Sequence, residues 1–261
     1  MLHEKVLVRK PGRSFSKALS NHPERCNIDC EKAGRQHNAY IETLKGLGLK
    51  LEFLPVLDDC PDAVFVEDTA LILDDVAVSC PMKEPSRRGE ASSVIERIGK
   101  THTIIDLPDG CEMDGGDVLK LEECIFIGLS GRTNQKAIDA VAEISKIPVR
   151  PVPVNKGLHL KSAVSFLGED ALLIDGDSVD PVHFPEFRII PAAPEEAYSA
   201  NVLKIGKTLI LPKGYPRTRS AIEDENLFES IIELDMSEFE KADGGLTCLS
   251  IFINRQSADS R

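Results

Sequence analysis

The apolar residues of this chain fall into short, nearly continuous runs separated by turn residues. Lys5-Val6-Leu7-Val8 reads as a strand, and Arg9 to His22, with Pro11, Gly12 and three serines, reads as a mobile loop. From about Asp29 the period changes. Ala33, His37, Tyr40, Ile41, Leu44 and Leu47 recur at helical spacing until Gly46 and Gly48 stop the pattern, and a strand over Leu49 to Pro55 follows. A single shape then returns several times: a polar opener, an apolar strand, a tight turn and a second apolar strand. The first copy runs through Asp68 and Leu71-Ile72-Leu73, turns at Asp74-Asp75 and comes back in Val76-Ala77-Val78. Further copies open at Asp117, Ser162 and Asn201. The fifth is the strand after Cys248, to be paired with the first strand of the chain.

The openers stand at 68, 117, 162, 201 and 248, in steps of 49, 45, 39 and 47 residues, which is the signature of a repeat architecture. Helical segments Ser86 to Gly99, Asn134 to Ser145 and Ser220 to Ile232 lie between copies, while Ser178 to Pro181 reads as a loop. Each unit is therefore expected to be a strand pair plus a helix. Five such units set radially give an α/β fold, a five-fold pseudosymmetric propeller around a central channel, in a single domain over residues 1–261. The hairpin openings would then face one end of the channel.

Composition narrows the partners. A formal charge of -12 argues against nucleic acid and against an anionic membrane surface, and suits a cationic ligand. No stretch approaches the apolar length of a membrane span, and Met1 to Gly12 has scattered charges with no apolar core of a signal segment, so a soluble, cytoplasmic protein is expected. Seven cysteines, at 26, 30, 60, 80, 111, 124 and 248, lack a Cys-x-x-Cys pair and suggest neither a disulfide framework nor a zinc ribbon. Cys26 and Cys30 with His22 and His37 form a weak metal candidate. Either a monomer or a homodimer is compatible with the acidic surface.

If the openings converge, they bring together Asp62, Glu67 and Asp68, Asp114 and Asp117, His159 and Ser162, Asn201, and Cys248. Taken alone, Cys248 after a glycine pair is better read as a buried core cysteine. Beside His159 it becomes an activated nucleophile, and a carboxylate such as Asp114 behind the histidine fixes its tautomer. The remaining acids repel one another unless a cation joins them, and a planar guanidinium pairs with carboxylates bidentately. Arg87 and Arg132 follow hairpins and could hold the carboxylate of an amino acid. Attack of a thiolate on a guanidinium carbon, with His159 protonating the departing amine and then activating water, would hydrolyse a C–N bond without metal or organic cofactor.

The motifs Phe65-Val66-Glu67-Asp68, Pro85-Ser86-Arg87-Arg88, Asp114-Gly115-Gly116-Asp117-Val118-Leu119, Gly128-Leu129-Ser130-Gly131-Arg132-Thr133-Asn134-Gln135, Gly157-Leu158-His159-Leu160-Lys161-Ser162 and Asp243-Gly244-Gly245-Leu246-Thr247-Cys248 resemble those of the dimethylarginine dimethylaminohydrolases. That family belongs to the pentein, or α/β-propeller, superfamily of guanidino-group-modifying enzymes. The resemblance spans the chain from first strand to last. It implies Cys248 as nucleophile, His159 as acid and base, and Asp114 as its partner. It further implies Asp62, Glu67 and Asp68 on the guanidinium side, Arg87 and Arg132 at the amino-acid end, and Leu19 with the backbone at Ala242 completing the site. The substrate would be a small guanidino amino acid, and the products citrulline and dimethylamine. Two other readings stand beside it: a deiminase acting on arginine or another guanidine, and a non-catalytic five-fold propeller that binds a partner. A papain-like protease is the weakest, because the acids do not suit a peptide carbonyl.

Overall fold

A computed structural model describes residues 3–254; the ends of the expected 1–261 unit lie outside the described residues. Strand β1 (His3–Val8) pairs in parallel with β2 (Leu51–Phe53) across helix α1 (Cys30–Gly46), whose first turn is capped by the Asp29 side chain accepting from the Glu31 and Lys32 N–H groups. The expected strand over Leu49 to Pro55 is thus only its middle three residues. Four further sheets follow in chain order: β3 (Ala70–Leu73), β4 (Val76–Ser79) and β5 (Thr103–Asp106); β6 (Val118–Lys120), β7 (Ile125–Leu129) and β8 (Val149–Pro153); β9 (Val164–Gly168), β10 (Ala171–Ile174) and β11 (Arg188–Pro191); β12 (Leu203–Ile205), β13 (Thr208–Pro212) and β14 (Ser230–Leu234). Finally β15 (Ser250–Asn254) returns to pair antiparallel with β1. The last strand closes the ring on the first.

Every sheet has the same pairing, first strand antiparallel to the middle one and third strand parallel to it. A parallel third strand needs a crossover, supplied by α1, α2 (Ser92–Ile98), α3 (Gln135–Ile144) and α5 (Pro216–Asp224), and by a loop in the β9–β11 sheet. The unit is therefore a three-stranded sheet, where a strand pair plus helix was expected. Two helices also differ from expectation. Ser86 to Gly99 divides into a 3-10 stretch, Pro85–Glu90, and α2, while Ser220 to Ile232 ends its helix at Asp224 and becomes β14.

Successive side chains of a strand point to opposite faces, and here each face meets a different neighbouring sheet. Leu71, Leu73 and Val78 pack with Val118, Ile125 and Ile127, whereas Ala70 and Ala77 of the same two strands join Leu7, Ile251 and Ile253. Leu119 and Phe126 meet Leu172 and Ile174; Ala171 and Leu173 meet Leu209 and Leu211; Ile210 meets Val6, Val8 and α1. The core is split into five slabs between neighbours. Sheets covered on both faces explain why the strands read as continuous apolar runs.

Candidate functional site

Each first strand is preceded by a short helical stretch: Val66–Thr69, Gly115–Asp117, α4 (Leu160–Ala163), Pro194–Ala200 and Thr247–Leu249. The first touches the second and the fifth, and the third touches the second and the fourth, around one end of the ring. Asn201, which directly follows the fourth, ties it to the third and the fifth, its amide donating to the Lys161 carbonyl at 2.7 Å and Thr247 Oγ1 at 3.0 Å while its oxygen accepts the Thr247 N–H at 3.1 Å. Residues far apart in sequence therefore meet on rigid turns anchored by strands. Cys248 sits inside such a turn, two residues before its strand, and its sulfur accepts the Gly245 N–H at 3.4 Å.

Next to Cys248, a small recess is lined by the polar residues Asp62, Asp68, Arg87, Arg132, His159 and Cys248 and by the apolar residues Leu19, Phe65, Leu158 and Ala242, with Asp243 and Gly244 completing it. His159 Nε2 donates to Asp114 Oδ2 at 3.0 Å, and its Nδ1 faces Asp68 Oδ1 at 3.9 Å. Arg87 Nη1 donates to Asp68 Oδ2 at 2.8 Å and lies 3.9 Å from Asp114 Oδ2. Its Nε and Nη2 both donate to Glu90 Oε2, at 3.2 and 3.0 Å. Gly116 permits this crowding: its N–H donates to Asp68 Oδ1 at 3.0 Å, and a Cβ there would stand 2.7 Å from both that oxygen and His159 Nδ1. A Cβ on Gly244 would drive into the Phe65 ring. Glycine is required at both places by close approach.

Burial and charge pull these groups in opposite directions. Burial disfavours a charged His159, but the carboxylates of Asp68, Asp114 and Asp117 outweigh it and push the imidazole up to about 9. Burial raises Asp68, yet His159 and Arg87 hold its carboxyl below the usual range. Burial, with Glu67 and Asp68 adding to it, pushes the Cys248 thiol up to about 12. At neutral pH the pair rests as a thiol and an imidazolium. Asp62, pushed up to about 6 chiefly by burial, is drawn back by Arg87 and by the Leu19 N–H that its carboxylate accepts at 3.1 Å.

Of the residues expected from sequence, Cys248, His159, Asp68, Asp62, Arg87, Arg132, Leu19 and Ala242 line the recess, and Asp114 stands directly behind His159. Glu67 does not line it. Its carboxylate turns away to an ion pair with Lys161 Nζ at 2.6 Å and a hydrogen bond from Thr247 Oγ1 at 2.9 Å. Arg87 is sunk between Asp68 and Glu90, whereas Arg132 Nη1 lies 3.7 Å from Glu84 and 3.9 Å from Asp114 without a hydrogen bond. Asp117 is consumed by Ser130, Thr133 and the Leu160 N–H, and Ser162 is not on the recess. Sequence reasoning missed Glu90, whose only signal is its three-residue spacing from Arg87, and Asp243, held at φ 54° with its carboxylate accepting the Asn21 N–H at 2.7 Å.

Asp68, Asp114 and His159 offer atoms within 4.8 Å of one another, close enough for a cation, and the Arg87 guanidinium already serves both carboxylates. Cys26, Cys30, His22 and His37 form no such cluster among the described residues; His37 packs instead against Tyr40 and Phe239. No described helix is long and apolar enough to cross a membrane.

A ring of five three-stranded mixed sheets with its site at one end defines the pentein class of α/β propellers. The solved structure of a cysteine-to-serine variant of the Pseudomonas aeruginosa dimethylarginine dimethylaminohydrolase, complexed with citrulline, matches at a TM-score of 0.89 and 31% identity, over 97% of this chain and 100% of that one. In sequence the chain is 35% identical over 255 residues to the N(G),N(G)-dimethylarginine dimethylaminohydrolase of Pseudomonas aeruginosa, covering 94% of this chain and 98% of that protein. It is 35% identical over 256 residues to the Streptomyces coelicolor enzyme of the same name, covering 96% and 97%. The family described as N,N dimethylarginine dimethylhydrolase, eukaryotic, matches residues 13–183. The chain belongs to the dimethylarginine dimethylaminohydrolase family.

Proposed function

We propose that the protein hydrolyses a substituted guanidine, Nω,Nω-dimethylarginine or Nω-methylarginine, to citrulline and the corresponding amine. The observation that carries this reading is the meeting of Cys248, the His159–Asp114 pair and Asp68 on one recess with an apolar wall. A guanidinium is a poor electrophile, so its carbon must be held against the nucleophile, with Asp68 and Asp62 as the carboxylates for its N–H groups. Arg132, which has a guanidinium nitrogen free of hydrogen bonds, takes the carboxylate end of the substrate, whereas Arg87, also expected there, is occupied by Asp68 and Glu90.

Arrival of the substrate cation lowers the thiol of Cys248 from its resting position, and the thiol proton leaves to solvent. The thiolate sulfur bonds to the guanidinium carbon. His159, held as an imidazolium by its carboxylates, gives its proton to the departing amine as the C–N bond breaks. The thiouronium that remains is attacked by water whose proton returns to His159, and breaking of the C–S bond releases citrulline and Cys248. Asp114 keeps the ring oriented through both proton transfers.

The test is a product assay with Nω,Nω-dimethylarginine and, separately, arginine, read for citrulline and for dimethylamine or ammonia. The expected result is citrulline with dimethylamine, falling by at least about 1,000-fold in a Cys248→Ser protein. Citrulline from arginine alone keeps the chemistry and changes the substrate. No citrulline from either, or a fully active Cys248→Ser protein, overturns the reading.

A further inference from the structure

Beneath the recess lies a buried row of alternating charges that the chemistry above uses only at one end. Arg9 is fully buried, donating to the Ala63 carbonyl at 2.7 Å, to the Glu90 carbonyl at 3.1 Å and to Ser93 Oγ at 2.8 Å. Next comes the Glu90 carboxylate, with a side chain 1% exposed, then the Arg87 guanidinium, then Asp68 and Asp114 facing His159. Glu90 uses one oxygen, Oε2, for two of the Arg87 nitrogens, and its Oε1 is buried with no hydrogen-bond partner. A carboxylate in that state costs stability unless the contact it makes is needed.

The geometry of Arg87 shows what the contact does. A guanidinium is planar, so fixing Nε and Nη2 on one oxygen fixes the direction of Nη1. That third nitrogen is the one directed at Asp68, the carboxylate facing His159. We propose that Glu90 is a positioning residue of the site, aiming Arg87 at Asp68 and thereby setting how much of the Asp68 charge is left to act on His159. Without the Glu90 charge, Arg87 is neutralised by Asp68 and Asp114 alone and draws on them more strongly. His159 then loses part of the attraction that keeps it protonated.

The groups facing Glu90 are Arg9, Arg87, Asp62, Asp68 and Cys60. Arg9 and Arg87 keep their charge at all working pH values, while burial, only partly offset by Arg87, pushes the Glu90 carboxyl up to about 7; Glu90→Gln therefore isolates the Glu90 charge above that pH, the range in which His159 titrates, with little change of shape. The proposal depends on the hydrolase reading only for its kinetic arm. The primary readout is NMR titration of the His159 imidazole, assigned with a His159→Gln protein. Glu90→Gln is expected to lower the His159 titration by about one pH unit and to move the alkaline limb of kcat with it. Glu90→Asp keeps the charge but withdraws it by one methylene, and is expected to give a smaller displacement in the same direction.

A Glu90→Gln protein that loses only thermal stability, with His159, kcat and KM as in the parent, overturns the proposal and leaves Glu90 a structural ion-pair partner. If Glu90→Gln does not fold, Glu90→Asp decides: a lowered His159 titration supports the proposal and an unchanged one overturns it. A lowered titration in a protein that releases no citrulline from any guanidine keeps the proposal and rejects the hydrolase reading.

Discussion

Asp68 and Asp117 hold equivalent places in successive units of the ring, 49 residues apart, and both are buried on the turn that opens a first strand. Their surroundings differ in kind. Asp68 faces cations, the Arg87 guanidinium at 2.8 Å and His159 at 3.9 Å, and these hold its carboxyl below the usual range against the effect of burial. Asp117 receives Ser130 and Thr133 hydroxyls at 2.6 Å each and the Leu160 N–H at 2.9 Å, all neutral donors, and burial leaves its carboxyl raised. One repeat position has thus become a charged part of the recess and, a unit later, a knot that ties α4 to the Ser130–Thr133 loop. The partners that the neighbouring loops bring decide the role.

Substitution by asparagine separates the two, and the largest effect is expected at Asp68. Asp68→Asn removes the charge that most favours the His159 imidazolium, so kcat/KM should fall by about 100- to 1,000-fold. The sign in pH follows directly. His159 lies at about 9 because the carboxylates favour its protonated form, so losing one lowers it, and the alkaline limb of the rate profile should move to lower pH. An unchanged limb would detach Asp68 from His159 and remove the comparison.

Asp117→Asn should act mainly on stability. The amide keeps one acceptor oxygen for three donors, and an imperfectly satisfied buried group of this kind costs about 1–3 kcal/mol. In thermal unfolding that corresponds to a drop of roughly 2–4 °C per kcal/mol for a protein of about this size. The His159 titration should move in the same direction as for Asp68→Asn but less, since Asp117 also favours the imidazolium. The two costs should run oppositely with pH. A carboxyl held low contributes stability that is present above the unfolded value near 3.8 and lost as pH falls, so the cost of Asp68→Asn grows with pH. A raised carboxyl favours the folded state while it is protonated, and that contribution is lost as pH rises, so the cost of Asp117→Asn shrinks. Denaturant melts at about pH 3, below that unfolded value, and at pH 7 measure both; costs that change with pH in the same direction would erase the distinction.

Why one feature was legible in sequence and another was not has the same physical root. The hairpins could be read because their strands are covered on both faces and carry unbroken apolar runs. Apart from β2, the third strands could not: β5 is half-exposed, β8 carries Pro151 and Pro153, and both are edge strands, where proline is tolerated and apolar density is not required. In the site, residue types and repeat spacing brought Asp68, Asp114, His159 and Cys248 together. They did not say that adjacent Glu67 and Asp68 diverge, because a one-residue step on a 3-10 turn sends side chains to different sides. Glu67 accordingly pairs with Lys161 and Thr247, across the ring from Arg87. Glu90 was invisible because its role lies in a partner, Arg87, that itself reads as a ligand for substrate.

The smallest expected effect tests whether the two regions are mechanically joined. Thr133 Oγ1 donates to Asp117 Oδ2 at 2.6 Å and accepts the Asp114 N–H at 3.3 Å, so one hydroxyl touches both the structural knot and the backbone of the residue that orients His159. Thr133→Val keeps the branched shape and deletes only that hydroxyl. Asp117 retains Ser130 and Leu160, so the loss of one hydrogen bond to a charged group should cost about 1–2 kcal/mol. If the knot serves only stability, kcat should stay within about threefold of the parent, because Asp114 is also held by its own bond to His159. A fall in kcat as large as that expected for Asp68→Asn would mean that the position of Asp114 depends on Thr133, and the line drawn between the reactive carboxylate and the structural one would have to be moved to include both.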